Sequence, residues 1–415
     1  MGFDVAVLGG GASGLVCAIE CAKAGLNVAI AERNHGLGKK ILVTGNGRCN
    51  LTNTDIGPEH YYGSDKLMIS KLLDLYSAED VIRFFNGIGL YTRERDRLIY
   101  PNSNKAASVA EALRNGLVKY NVSVVSDFEI KDVKKENGKF RISARDGKSL
   151  QAENIVVATG LEAYDGTDIG IGILKKFGHK CFEIYPALVQ LKTDSAFIKG
   201  LKGVKFNGKI SALSKGKVIG EEVGEILFTE YGLSGIAVMQ LSRLYSEYDD
   251  LSILMDFLPH LTEEEVAKIL TDIQDFYKDA EIAAEEFLGG LVDKKLGHRI
   301  LKFSGIDNLS ENIRAIEGKQ ILKIASAFKS TQVKITGHNG FKNAQVCGGG
   351  ADLAGFDIET LESVYEKGLY AAGEVLDVIG DCGGYNLHWA WITGIHAAKA
   401  ITRGHSQGRK YDKSK

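Results

Sequence analysis

Asp4-Val-Ala-Val-Leu-Gly9-Gly-Gly11-Ala12-Ser13-Gly14 is a short apolar run that passes straight into glycines spaced G-x-G-x-x-G. A helical pattern follows as far as Gly25, and a second apolar run, Val28 to Ala31, ends on Glu32. The reading is strand, glycine turn, helix, strand. In that arrangement Gly9 permits the tight turn, Gly11 lets a pyrophosphate approach the backbone, and Gly14 lets helix and strand pack closely. The N–H groups of Ala12 and Ser13 fall at the helix start, where free donors and the positive dipole end favour phosphate. Glu32 stands where a carboxylate accepts hydrogen bonds from an adenosine ribose. The flanking strands, the helix and the acid together make this a dinucleotide site rather than an idle glycine turn.

The composition agrees. At 415 residues the chain exceeds one core, so two or three domains are expected. Its 51 basic and 53 acidic residues leave a formal net charge of −2, which gives no long-range field for nucleic acid or an anionic membrane. The expected partner is a small molecule; oligomeric state is open. Glycine is abundant, with 49 residues, as suits tight turns beside a ligand. The six cysteines (17, 21, 49, 181, 347 and 382) form no C-x-x-C pair and read as reduced thiols in a cytoplasmic protein. No metal-ligand spacing stands out. The apolar start lacks a basic flank and is interrupted by Asp4, Glu20 and Lys23, so it reads neither as a signal peptide nor as a membrane span.

Further along, a polar glycine-bearing loop covers 36–53. One helical pattern runs from about Lys66 to Asn86 and another from about Ala106 to Lys119, leading to strands near 122–125, 140–144 and 155–158. Ile155-Val-Val-Ala158-Thr159-Gly160 is a fully apolar strand whose C-terminal end reaches a ligand. From about Leu188 the texture changes to short alternating strands (206–212, 217–219, 225–229), a small barrel or sheet. Thr262-Glu-Glu-Glu265 is a capping box, with Leu261 and Val266 as a hydrophobic staple. The expected division is therefore a discontinuous nucleotide domain, 1–189 and 336–415, a barrel or sheet over 190–259, and a helical segment over 260–335 that returns to the barrel. The polar tail after Thr402 reads as a solvated end.

A second motif closes the chain. Gly368-Leu-Tyr-Ala-Ala-Gly373-Glu374-Val-Leu-Asp377 is a strand ending at a carboxylate, and Gly380-Asp-Cys-Gly-Gly384-Tyr385-Asn386-Leu387 opens a helix from about His388 to Ile401. Its positive end would stabilise the negative charge of a reduced flavin.

With Ala18 and Gly25 the N-terminal pattern takes the flavoprotein form. Together with Thr44-Gly-Asn-Gly47-Arg48-Cys49-Asn50, the closing motif and Gly224-Glu-Ile-Leu-Phe-Thr-Glu-Tyr-Gly-Leu-Ser-Gly235, the chain resembles the BaiN-like (YhiN-type) family of FAD-dependent oxidoreductases over nearly its whole length. That resemblance implies an α/β fold: a discontinuous two-dinucleotide-type, Rossmann-like FAD domain bearing a barrel-plus-helical insertion. The family includes reductases of 3-oxo bile-acid double bonds and aminoacetone oxidases. By position, Glu32 would bind the adenosine ribose, with Arg33 and Lys40 also on the cofactor, and Ile130 would meet the adenine through its backbone. Gly47, Arg48, Cys49 and Asn50 would line the pyrophosphate and ribityl side. Glu374 or Asp377 would hold ribityl hydroxyls, and Tyr385-Asn386-Leu387 would meet the isoalloxazine. The chain departs from the pattern at Glu230, where a His is usual, at Ile236 for Pro, at Cys347 for Thr and at His388 for Gln, and Asp165–Gly172 matches poorly.

Candidate catalytic groups are Tyr385 and His388, as proton donors or as residues that position the cofactor, and Glu230, as a substrate carboxylate or a surface acid. Cys49 reads as a packing or cofactor contact rather than a redox thiol, Cys17 and Cys21 as core, His179 as a turn residue, and Trp389 and Trp391 as packing for the last helix. Residues 190–335 would form a lid, with Glu230 and Tyr231-Gly232-Leu233 toward the substrate and His388 approaching from the flavin side. The function this supports is a noncovalent FAD enzyme, first an NAD(P)H-dependent reductase of a conjugated C=C bond in a 3-oxo steroid or bile-acid-like substrate. The runner-up is an oxidase of a small amine using O2; a non-enzymatic flavin scaffold is the third.

Overall fold

The structure, a computed structural model, describes residues 2–161 and 168–412, in two compact units: Met1–Tyr185 with Val346–Lys415, and Pro186–Gln345.

The first unit is built on a seven-stranded sheet. From one edge the order is Ser123–Val125, Val28–Ala31, Gly2–Leu8, Ser149–Val157, Lys139–Ala144, Ile130–Glu136, and Leu369–Ala371 pairs with the far end of Ser149–Val157. The strands that carry the nucleotide motif are parallel, Val5↔Val28 on one side and Val5↔Asn154 on the other, while 139–144 and 130–136 form an antiparallel flap. Val28–Ala31 and Ile155–Val157 are buried throughout, as strands covered on both faces must be. Helix Ala12–Lys23 lies against the last helix so closely that a Cβ on Gly394 would sit 2.4 Å from the Ser13 carbonyl oxygen.

Local details correct the sequence reading in two places. The helical pattern over 66–86 is two helices, Lys66–Leu75 and Ala78–Gly87, because Ser77 and Asp80 form a capping box that starts a new one. The last helix begins at Tyr385 and runs to Asp412, so the expected solvated tail continues the helix. Residues 165–167 of the poorly matching segment lie outside the described residues. Asp168 caps helix Ile169–Lys176, its Oδ1 accepting from Ile171 N at 3.1 Å.

The second unit is a closed antiparallel barrel in the order Leu191–Thr193, Gly232–Ser234, Lys217–Phe228, Lys205–Ser214, Ser252–Asp256, Thr331–His338, returning to Leu191–Thr193. The two short strands expected at 217–219 and 225–229 are one strand. The insertion reaches past 335 because Thr331–His338 is needed to close the ring. Between the last two strands rise helices Glu263–Phe276, Lys294–Phe303 and Gly318–Ser330. The first starts at the capping box read from sequence, Thr262 N donating to Glu265 Oε2 at 2.8 Å. Barrel and helices share one core that includes Phe228, Ile253, Phe328 and Leu270, so they bury apolar surface together.

Candidate functional site: a dinucleotide cradle closed by the C-terminal motif

Strand Gly2–Leu8 delivers the chain into the glycine turn. A Cβ on Gly14 would lie 2.0 Å from the Gly9 carbonyl oxygen, so only glycine lets the helix start this near the strand end. At Gly11 a Cβ would meet nothing within 4 Å, which leaves that side of the turn open. No side chain caps the helix there, so the N–H groups of Ala12 and Ser13 face that opening uncovered. Glu32 is buried at the end of the second strand. Its Oε2 accepts from Gly10 N at 2.7 Å, and its Oε1 accepts from Asn34 N at 2.8 Å. The carboxylate is thereby locked over the turn with lone pairs left for ribose hydroxyls. Ala158 N donates to Leu8 O at 2.9 Å, which brings Thr159 and Gly160 to the same sheet edge. Ile130 opens the flap strand opposite Ala144 at a bulge, and Arg33 follows directly on Glu32.

The C-terminal motif arrives at this edge from more than three hundred residues away. Strand Leu369–Ala371 leads to Gly373, whose N donates to Thr393 Oγ1 at 2.9 Å, while Ser13 Oγ donates to Ala372 O at 3.2 Å. Glu374 is the acid that joins the site. Its Oε2 accepts from Lys40 Nζ at 2.7 Å, its Oε1 accepts from Cys347 N at 2.9 Å, and Gly160 lies beside it. Asp377 is committed elsewhere: it hydrogen-bonds Ser64, and burial raises its carboxyl above the usual range against that bond. Of the two acids, Glu374 is thus the one that stands beside Gly160, while Asp377 is turned to Ser64.

The loop 44–50 is wound through left-handed backbone at Gly45, Asn46, Gly47 and Cys49. Cys49 is wholly buried and its thiol is pushed up to about 11 by burial, against the Thr44 hydrogen bond, so it is a packed neutral thiol. Arg48 is exposed and lines a hollow of about 240 Å³ with Arg95, Leu98 and Tyr100. Asn50 Oδ1 is buried with no hydrogen-bond partner among the described residues, and Gly384 approaches so near that a Cβ would fall 3.0 Å from Asn50 Nδ2. An unmatched buried acceptor at Asn50, an open glycine turn at Gly11 and an uncapped helix start are each what a polar dinucleotide would satisfy, so the residues fit FAD.

The other expected groups are placed by their packing. His388 has no exposed surface; its Nδ1 shares a 2.8 Å hydrogen bond with Thr52 Oγ1, and burial lowers it to about 4. A neutral imidazole sealed in the core neither meets a substrate nor supplies a proton near neutral pH. Asn386 is spent on its own loop, accepting from Gly380 N at 2.8 Å and donating to Gly380 O at 2.7 Å. Leu387 stays partly exposed beside it. Tyr385 is nearly buried, its hydroxyl pushed up to about 12 by burial and the nearby carboxylates of Asp55, Asp381 and Glu59. Trp389 and Trp391 are core residues, Trp391 donating to Leu51 O at 2.9 Å. Glu230, in the second unit, is 76 % exposed and paired with Lys202 at 2.7 Å, whose hydrogen bond holds its carboxyl below the usual range. Leu233, expected beside it toward the substrate, turns into the barrel core. One trio, Asp4, Glu153 and His405, comes together within 4.8 Å, but Asp4 already accepts from Asn27 N at 2.8 Å and Glu153 pairs with Lys139 at 3.5 Å.

Sequence reasoning missed His60. Its Nδ1 lies 3.0 Å from Asp381 Oδ2, and its ring stacks on Tyr385 with centroids 4.4 Å apart. Asp381 stood inside the quoted closing motif, but nothing near His60 marked it as its partner.

A Rossmann-type cradle closed by a flavin-type helix start defines a dinucleotide-dependent redox protein. The family described as HI0933-like protein Rossmann domain matches residues 3–400. A 3-dehydro-bile acid delta(4,6)-reductase from Clostridium scindens is 39% identical, covering 95% of this chain and 98% of the relative. A ribosomal RNA dihydrouridine synthase from Haemophilus influenzae is 30% identical, covering 96% of this chain and 98% of the relative. Among solved structures, a 3-ketosteroid-delta4-(5alpha)-dehydrogenase from Rhodococcus jostii RHA1 aligns at a TM-score of 0.50 and 15% identity over 97% of both chains, a likeness of fold. The chain belongs to the HI0933-like Rossmann family and is an FAD-dependent oxidoreductase. Among the described residues, no helix is long and apolar enough to cross a membrane.

Proposed function

We propose that this protein reduces a carbon–carbon double bond conjugated to a carbonyl, on a 3-oxo steroid or bile-acid-like molecule, with NAD(P)H as electron source. The observation that carries the reading is the 39% identity to the C. scindens reductase across 95% of this chain and 98% of the relative. Bound FAD supplies the two-electron relay between nicotinamide and substrate. The chain's own residues do the rest. The open turn at Gly11 and the uncapped helix end hold the pyrophosphate, and Glu32 orients the adenosine ribose. Glu374, clamped between Lys40 and the Cys347 N–H, presents a fixed acceptor to the ribityl chain. The start of the Tyr385–Asp412 helix offers positive dipole to the charge that gathers on the reduced ring.

A second substrate is favoured by the 30% identity to the rRNA dihydrouridine synthase. The two are chemically close, because the uracil double bond is also conjugated to a carbonyl. The net charge of −2 argues for the small molecule, although a local basic patch can bind phosphates regardless of the total. Anaerobic holoenzyme with NADH or NADPH is offered a 3-oxo bile-acid enone, or unmodified ribosomal RNA, and products are weighed by mass spectrometry. A steroid carrying two added hydrogens supports the proposal. Dihydrouridine with an untouched steroid moves the substrate to RNA. No reduced product, with peroxide released from a small amine in air, replaces the reductase by the oxidase.

A further inference from the structure

We propose that His60, held by Asp381, is the acid that protonates the substrate's α-carbon, an inference that rests on the conjugate-reductase reading above. The two residues are placed by one short ladder. Strand Tyr61–Gly63 pairs antiparallel with Val378–Gly380, with Tyr61 opposite Gly380, so His60 and Asp381 are the next residues at the same end. Their backbones close on each other, Asp381 N donating to His60 O at 2.9 Å. Their side chains do the same, His60 Nδ1 lying 3.0 Å from Asp381 Oδ2. Asp381 is in turn immobile: its carbonyl oxygen accepts from Asn386 Nδ2 at 3.2 Å, and its side chain is only 12 % exposed.

A carboxylate on Nδ1 fixes the imidazole tautomer and orientation and leaves Nε2 as the working nitrogen. The ring is supported from below by Tyr385, stacked at 24°, and Tyr385 is pinned by Tyr61, whose hydroxyl donates to its carbonyl oxygen at 3.1 Å. Nε2 lies 4.0 Å from both Asp55 Oδ2 and Glu59 Oε1, outside hydrogen-bond reach, and Asp55 is already paired with Arg97 at 2.7 Å. The ring keeps 26 % of its side-chain surface exposed, unlike sealed His388. This imidazole combines an orienting carboxylate, a stacked seat and a partly exposed ring next to the helix start at Tyr385.

The balance is as follows. The β-carbon accepts a hydride from the reduced flavin, the C=C π bond breaks, and its electron pair moves toward the carbonyl as an enolate. The α-carbon then takes the proton from His60 Nε2, and Nε2 recovers one from water. Bound FAD would supply that hydride, with NAD(P)H as the reductant that would restore it.

The test uses H60N holoenzyme, because the asparagine amide keeps a donor for Asp381 while removing the acid. Wild type and H60N are reduced with dithionite and mixed anaerobically with steroid enone or, in a second arm, ribosomal RNA. Loss of a general acid should slow substrate-driven flavin reoxidation by about 100-fold or more, with FAD content, thermal stability and reoxidation by O2 unchanged. Ring-nitrogen NMR of His60 in wild type, read without turnover, should show a carboxylate-bonded Nδ1–H that D381N abolishes. Equal rates in H60N and wild type, or no such Nδ1–H signal, overturn the proposal while leaving the reductase reading intact. Should H60N shed its flavin, D381N takes its place in the kinetic arm. Wild type that neither substrate reoxidises overturns both.

Discussion

Adding one methyl group at Gly11 separates cofactor binding from folding. Gly11 has φ −85° and ψ −167°, backbone that alanine adopts without strain, and its Cβ would meet nothing within 4 Å. The apoprotein should therefore be unchanged within about 0.5 kcal/mol. With a pyrophosphate bound against that open side, the methyl becomes an overpacked contact of roughly 1–3 kcal/mol. That is about 5- to 150-fold in the FAD dissociation constant. Gly14→Ala is the comparator: its Cβ would fall 2.0 Å from Gly9 O and 3.1 Å from Val7 Cγ1, so the apoprotein itself should be destabilised. Apoprotein of each variant is titrated with FAD by flavin fluorescence and melted without cofactor. Wild-type FAD affinity in Gly11→Ala, or loss of apoprotein stability comparable to Gly14→Ala, would refute the reasoning.

Glu32→Ala removes the acceptor that holds Gly10 N–H, and should weaken FAD by about 1–3 kcal/mol in the same titration, whereas Glu263→Ala, at an exposed helix start, should not. Cys49→Ala should leave the rate of flavin reduction and reoxidation unaltered, because a buried thiol pushed up to about 11 supplies no thiolate; a lost redox step would contradict this. His388 is lowered by burial to about 4, so on acidification the unfolded chain takes up a proton that the folded one refuses. Stability should therefore fall between about pH 7 and pH 5 by about 2 kcal/mol on this group's account. His388→Gln should remove that slope in urea titrations and spare turnover, with His179, also lowered to about 4, keeping its own share. Glu230→Gln should leave the melting temperature unchanged, since it breaks one fully exposed pair.

What was legible in the sequence was local. The strand–glycine–helix unit at Gly9–Gly14 and the Thr262 capping box are encoded within a few residues, and both stand as read. The closing strand–carboxylate–glycine motif and the short alternating strands of the barrel were legible in the same local way. What escaped was made by distance in the chain. Lys40 meets Glu374 across 334 residues and His60 meets Asp381 across 321, and neither pair has a spacing that periodicity can reveal. The Cys347 backbone N–H that helps hold Glu374 leaves no residue-type signature at all. His388 stands beside the flavin motif in sequence, but a motif carries no record of burial: Tyr385 stacks on His60, while His388 on the same helix is buried against Thr52.

The central claim, reduction of a conjugated double bond by this family member, is tested most directly by a single turnover. Holoenzyme is reduced photochemically, freed of donor and oxygen, and mixed in a stopped-flow cell with a 3-oxo bile-acid enone. The account predicts rapid return of the oxidised-flavin spectrum with one saturated product formed per flavin. A flavin that stays reduced with the enone and with ribosomal RNA, yet reoxidises promptly when air is admitted, would contradict it.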